Sequence, residues 1–300
     1  MSEGLDRTFT MMHDVHMTTT TQTEERDTRI REAHERLDNA VKSIKNSADW
    51  TAWLAQASRF HKYSFNNVML ILSQCPNASL VAGGNKWKSM KRWPAKGSKA
   101  LWIFAPMLVN WTGPEIAENP ARVGTKKFIG FKTVPVFDVS QTDGKPLAAE
   151  PAKVSLLEGE APADKVRLLR KMAENNGFTT SLDDLPGETN GVTDFSNKTI
   201  KIARDRSDAQ RFKTLVHEIA HMLLHGPKDD EPQRVCRADA EVEAESVAWI
   251  VCDHFGVQSD GYSFGYVAGW SERDSDAVKR TGNNVMQTVK KILAVLDPEA

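Results

Sequence analysis

The chain is 300 residues long, with 39 Lys and Arg against 40 Asp and Glu, a formal net charge of −1, 40% hydrophobic residues and three cysteines. That length and apolar content suit about two ordinary globular domains and exclude a collagenous, disulfide-stapled or wholly disordered chain. Cys75, Cys236 and Cys252 are scattered and form no CxxC pair, and no apolar run approaches the ~20 residues of a membrane span, so a cytoplasmic protein with no membrane partner is expected.

Residues 1–26 contain the tract Thr18 to Thr21 and no apolar periodicity, which predicts a disordered tail. From Thr28 to Lys45 the positions Ile30, Ala33, Leu37, Val41 and Ile44 recur at helical spacing, and a second helix is expected from Trp50 to Phe60. Strands are expected near Ser79 to Ala82, Leu101 to Pro106 and Phe128 to Val139. The stretch from Ser140 to Pro162, rich in Pro, Ala, Gly and acids, reads as a linker. Beyond it come a helix at Ala163 to Asn175, a hairpin turning at Ser196-Asn197 into a strand at Thr199 to Ala203, two helices around the motif described below, and a last helix near Ala277 to Leu296. The expected plan is an α+β protein with a tail at 1–26, a small α+β domain at 27–139, a linker at 140–162 and a second domain at 163–300.

Charge is divided unevenly along this plan. From Ala40 to Thr112 there are ten Lys or Arg against one acid, Asp49, a net of +9 that the near-neutral whole conceals. Within it, the segment from Gly83 to Trp102 interleaves Lys86, Lys88, Lys91, Arg92, Lys96 and Lys99 with Trp87, Trp93 and Trp102. Cations release counterions from phosphates and aromatic faces stack unpaired bases, so this segment suits single-stranded nucleic acid; a solvated basic face over core tryptophans is the alternative.

The most specific segment is Thr214-Leu-Val-His-Glu-Ile-Ala-His-Met-Leu-Leu-His225, in which His217 and His221 stand one helical turn apart with Glu218 beside them. Spacing of i and i+4 puts both imidazoles on one face, where they suit a zinc ion, with the carboxylate placed to act on a bound water. A core histidine pair satisfied by other groups is the alternative. Ser207 and Asp208 supply a cap, and Gly226-Pro227 ends the helix. His225 lies about 12 Å along the helix from His217, too far to share one ion, and reads as an outer partner of a ligand or as a helix C-terminal residue. In the following helix, Glu241, Ala244, Glu245, Ala248 and Cys252 share one stripe while Glu243 points nearly opposite. Glu241 is therefore the candidate third ligand, and Glu245 the candidate acceptor of a ligating histidine's second ring N–H; a solvated acidic face is the alternative. Cys252 reads as a small buried hydrophobe. Three protein ligands leave a position for water, with Glu218 to move its proton and Tyr262, Tyr266 or His254 as candidate oxyanion donors, the tyrosines being equally suited to a core.

The sequence HEIAH followed by Glu-x-x-Ala-Glu resembles the ImmA/IrrE-type zinc metallopeptidases and the peptidase domain of ArdC-type antirestriction proteins. The resemblance implies a zincin-like (gluzincin-type) C-terminal domain in which His217, His221 and Glu241 bind Zn2+ and Glu218 is catalytic. Phe60 to Leu72, Gly84 to Trp87 and Lys96 to Pro106 resemble the single-stranded-DNA-binding domain of the ArdC type, with Ser98-Lys99 where Glu-Lys is usual. It adds Lys62 and Asn66 to the expected DNA-binding residues, although Asn66 and Asn67 would serve equally as helix caps. Two functions are expected from these features. One is a zinc peptidase brought to single-stranded DNA and acting on a protein or peptide such as a repressor or a restriction component. The other is a non-catalytic protector of single-stranded DNA whose zinc domain is structural or partner-binding.

Overall fold

A computed structural model describes residues 5–147, 160–227, 237–257 and 275–298, with residues 5–23 as backbone only. The fold is mixed α+β and divides into two compact units, one formed by residues 1–40 and 69–145, the other by residues 41–68 and 146–300.

In the first unit, helix α1 (Leu5–Lys42) begins well before the expected position at Thr28 and runs through most of the stretch expected to be disordered. No Gly or Pro occurs between Leu5 and Cys75, so nothing in the chain chemistry breaks the helix early. The antiparallel sheet has the order β1 (Val81–Gly83), β4 (Lys126–Asp138), β3 (Leu101–Asn110). β3 and β4 form a long hairpin that pairs Leu101 with Val136 at its base and Asn110 with Lys126 at its far end. The short helix α4 (Gly84–Ser89) leads into β2 (Arg92–Pro94), which pairs with β5 (Thr142–Gly144). The start of the expected linker is thus a strand, while residues 148–159 lie outside the described residues. Helix α5 (Gly113–Glu118) is closed by a capping box between Thr112 and Glu115.

The second unit holds α2 (Ser47–Ala57), the start of α3 (Phe65–Gln74), α6 (Ala163–Asn175), a three-stranded sheet and three long helices, α7 (Asp208–Leu224), α8 (Arg237–His254) and α9 (Ser275–Leu296). The sheet order is β6 (Thr179–Asp183), β8 (Thr199–Ala203), β7 (Gly191–Asp194), with β6 parallel and β7 antiparallel to β8. The hairpin through Ser196-Asn197 is present, and the side chain of Asp194 accepts from both of those backbone amides. β6 was not anticipated, because Thr-Thr-Ser-Leu-Asp offers one apolar residue and no alternation.

Helix α7 is the centre of this unit. Ser207 caps it by accepting from the Gln210 amide, and Phe212, Leu215, Val216, Ile219 and Ala220 are all buried. An almost all-round apolar helix of this kind is stable only when covered on several sides. The sheet, α6, α8 and α9 supply the cover, and α2 packs on α8. Trp50 of α2 is fully buried, and its indole donates to Ser246 Oγ of α8 at 2.9 Å. Phe65 lies so close to Gly282 of α9 that a Cβ there would overlap its ring.

Candidate metal centre

His217 and His221 project from the middle of α7 toward the start of α8. Their Nε2 atoms are 3.0 Å apart, and Glu241 Oε2 lies 3.4 Å from His217 Nε2 and 3.5 Å from His221 Nε2. A tetrahedral ion with bonds of about 2.0–2.1 Å spaces its ligand atoms about 3.3 Å apart, close to this triangle. Among the described residues this is the one cluster of His, Cys, Asp or Glu donors tight enough to hold an ion.

The surrounding hydrogen bonds fit the same assignment. A carboxylate only accepts, so Glu245 Oε2, 3.0 Å from His217 Nδ1, fixes that nitrogen as N–H and leaves the His217 Nε2 lone pair toward the cluster. On the other side, Glu243 Oε2 is 2.9 Å from His225 Nε2, which must donate to it. His225 Nδ1 then accepts from His221 Nδ1 at 3.0 Å, and the His221 Nε2 lone pair faces the same point. Glu243 is buried, and its second oxygen accepts from Asn284 of α9 at 2.9 Å. Sequence spacing put Glu243 on the face away from Glu241; it does point elsewhere, but into the packing, where it orients His225.

Lys213, one turn before His217, escaped the sequence reading. Its ammonium is buried and lies 2.9 Å from Glu245 Oε1, so Glu245 links a lysine to a metal-facing histidine. The available signal was a lysine at i−4 on the histidine face of an otherwise apolar helix.

Without an ion, these charges hold one another. Burial disfavours the charged form of His217, but hydrogen bonds to Glu241 and Glu245 outweigh it and raise its pKa to about 9. Glu241 is shifted far below the usual carboxylate range, first by its hydrogen bond to His217 and then by that to His221. Burial opposes ionisation of Glu245, yet the bonds to His217 and Lys213 leave it lowered. A cation binding here replaces a proton already attracted by the same carboxylates.

Glu218 is buried next to the cluster. Its Oε2 accepts from Thr193 Oγ1 of β7 at 2.7 Å, and a cavity of about 280 Å³ bounded by Asn190, Gly191, Lys213, His217, Glu218 and Glu245 opens beside it. Gly191 is needed for that approach: a Cβ there would stand 2.8 Å from Glu218 Oε1 and 2.5 Å from Thr214 Cγ2. A larger cavity, about 370 Å³ between α6, β6 and α7, contains none of these groups.

Residues 19–137 match the family model for the N-terminal domain of anti-restriction factor ArdC. This ArdC match covers less than half of the chain and stops before the metal cluster. The Mn(II)-bound crystal structure of antirestriction ArdC protein from plasmid R388 superposes with a TM-score of 0.56 at 16% identity, covering 88% of this chain and 99% of that one. The metal-free ArdC structure gives a TM-score of 0.49 at 17% identity, over 79% and 86% of the two chains. An uncharacterized protein of Bacillus anthracis is 24% identical over 283 residues, covering 81% of this chain and 48% of its own length. The chain thus spans about half the length of that curated relative. What the R388 superposition establishes is a shared mixed α+β fold.

The expected nucleic-acid residues of the ArdC-matched region have different placements. Lys86, Lys88, Lys91, Lys96, Lys99 and Trp93 are exposed on the first unit, whereas Lys62 is exposed on the second. Trp87 is not a stacking face: it is fully buried and its indole donates to the Phe137 carbonyl at 2.9 Å. Arg92 is committed to its own unit, donating to Thr142 and to the Lys145 carbonyl. Asn66 neither caps α3 nor stands free; Ser64 accepts from the Asn67 amide at the helix start, and Asn66 Oδ1 faces Asn283 Nδ2 at 3.5 Å. His254 is also displaced from its expected role. It closes the opposite end of α8, roughly 20 Å along the helix from Glu241, and its Nε2 is 3.0 Å from Asp297 Oδ2. Tyr262 and Tyr266 lie outside the described residues.

Proposed function

We propose that this chain is an ArdC-like antirestriction protein in which a single-stranded-DNA-binding N-terminal region accompanies a zincin-like, metal-dependent peptidase domain. The observation that carries the reading is the convergence of His217 Nε2, His221 Nε2 and Glu241 Oε2, both imidazoles turned to the same point by outer hydrogen bonds, with Glu218 buried beside them. Zn2+ is the proposed ion, held by His217, His221 and Glu241; when bound it supplies Lewis acidity toward a carbonyl and lowers the pKa of water toward about 7. Glu218, steadied by Thr193, accepts the proton of the attacking water and passes it to the departing amine nitrogen. Lys213 and Glu245 hold the His217 ring, and His225 with Glu243 holds the His221 ring. The substrate class is a protein or peptide, with a repressor or a restriction component as the proposed target near DNA.

A structural metal site has no need of a buried carboxylate that is not a ligand, so the setting of Glu218 favours the enzyme. The test compares the wild type with Glu218→Gln and with Lys86→Ala/Lys88→Ala/Lys91→Ala, each assayed for zinc content, peptide hydrolysis and binding to single- and double-stranded oligonucleotides across salt. The proposal expects a zinc-loaded Glu218→Gln variant that binds DNA and hydrolyses nothing, and a triple variant with weaker, less salt-dependent single-strand binding. Wild type that binds zinc and DNA but cleaves no peptide in a pooled library would instead favour the non-catalytic DNA-protecting protein.

A further inference from the structure

The far half of the β3–β4 hairpin is unusual for a free surface. Leu108, Val109, Phe128, Ile129 and Phe131 are each 40–54% exposed, a contiguous apolar end where isolated exposed side chains are the norm. Residues 128 and 131 would fall on opposite faces of a regular strand. Here they do not, because the register shifts between Met107 and Leu108: Met107 pairs with Gly130 and Leu108 with Phe128, leaving Ile129 as the extra residue of a bulge. Gly130 takes a φ of 136°, open to glycine and not to other residues. The result brings the Phe128 and Phe131 rings to 5.1 Å, with Phe104 a further 6.2 Å from Phe131. Phe104 is already flanked by His34, and Trp102 is covered by the Arg29 guanidinium. Phe128 and Phe131 have no such cover among the described side chains.

The charges carried by the two strands at this end are of one sign. Neither 93–114 nor 119–137 contains an Asp or Glu, while β4 carries Lys126, Lys127 and Lys132. The two acids of α5 are both paired, Glu115 with Lys127 and Glu118 with Arg122 at 3.8 Å, and Arg122 stacks on Trp111. Lys126 and Lys132 are exposed with no ion partner among the described residues. A bulge that re-aims two phenyl rings outward, between exposed lysines and on strands whose neighbouring acids are already paired, matches a ligand with flat faces and negative charge.

We propose that Phe128 and Phe131 form a base-stacking platform for single-stranded DNA, with Lys126 and Lys132 contacting its phosphates. The proposal rests on the DNA-binding reading above and moves its centre from the Lys86–Lys99 segment to the hairpin. It is tested on the full chain by anisotropy titration with oligo(dT) and with an abasic deoxyribose-phosphate strand of equal length, comparing the wild type, Phe128→Leu/Phe131→Leu and Phe128→Tyr/Phe131→Tyr. The leucine variant, which keeps the apolar area without the flat rings, is expected to lose about tenfold or more of oligo(dT) affinity. It should keep its affinity for the abasic strand and its melting temperature, and the tyrosine variant should bind oligo(dT) as the wild type does. Wild type that binds oligo(dT) with an unchanged leucine variant overturns the platform alone. Wild type that binds neither strand overturns the DNA-binding reading and the platform with it. A leucine variant that turns a dimer into a monomer in sedimentation assigns the surface to a second copy of the chain, which also overturns the proposal.

Discussion

Replacing Gly191 with alanine tests how closely β7 must approach α7. The new Cβ would lie 2.5 Å from Thr214 Cγ2, 2.8 Å from Glu218 Oε1 and 3.0 Å from Glu218 Cγ. Relaxed carbon contacts are about 3.5–4.0 Å, so the first overlap exceeds about 1 Å and the strand or the carboxylate must move. Over-packing of this kind costs about 1–3 kcal/mol, which for a unit of this size lowers the melting temperature by about 2–12 °C. A shift of Glu218 disturbs its bond from Thr193 Oγ1, so under the proposed mechanism hydrolysis should fall more steeply than stability, while metal content holds because none of His217, His221 and Glu241 is touched. Thr214→Ser removes the nearest atom and keeps a hydroxyl for the Gln210 carbonyl, so it should restore part of the melting temperature in the Gly191→Ala background. The assay is a thermal melt by circular dichroism, with metal analysis on the same preparations. Gly191→Ala protein that melts with the wild type, or a Thr214→Ser partner that rescues nothing, would refute the argument from close approach.

Stability of the metal-free protein should depend on pH through His217. Its folded pKa, raised to about 9 from an ordinary 6.5, makes the stabilisation complete below about pH 6.5 and gone as pH rises through about 9. Melts of chelated protein should therefore fall across that window, and His217→Gln should flatten the slope. Glu243→Ala or His225→Ala should weaken zinc about 10–100-fold in a competition titration while His217, Glu241 and Glu218 remain in place. Trp87→Ala should cost about 3–5 kcal/mol and be seen as loss of folding of the first unit in a denaturant melt, not as a selective loss of DNA binding.

The convergence of His217, His221 and Glu241 was legible because helical spacing fixes which side chains share a face. His217 and His221 follow from i, i+4, and the stripe through Glu241 and Glu245 separated a ligand candidate from its outer partner. Periodicity says nothing about what a buried polar residue meets across an interface, so Lys213 and Glu243 came only with the packing of α7 on α8. The indole of Trp87 illustrates the reverse limit. Among lysines it reads as a stacking face, yet a six-residue helix with one large apolar side chain turns that side chain inward. The bulge at Ile129 was hidden because Phe-Ile-Gly-Phe reads as uninterrupted strand until its partner's register is known. The parallel β6 depends on a long-range pairing that its own five residues do not announce.

The placement of residues 41–68 has a consequence for synthesis. Trp50, Trp53, Leu54 and Phe65 leave the ribosome early, but the surfaces of α8 and α9 that receive Trp50 and Phe65 are translated last. At ordinary elongation rates the interval is roughly 10–50 s, during which Trp50, Trp53 and Phe65 have one another but not the α8 and α9 surfaces that complete their burial. By the same logic, expression of residues 163–300 alone would yield a polypeptide deprived of one wall, to be recovered by co-expressing the 41–68 segment as a separate peptide.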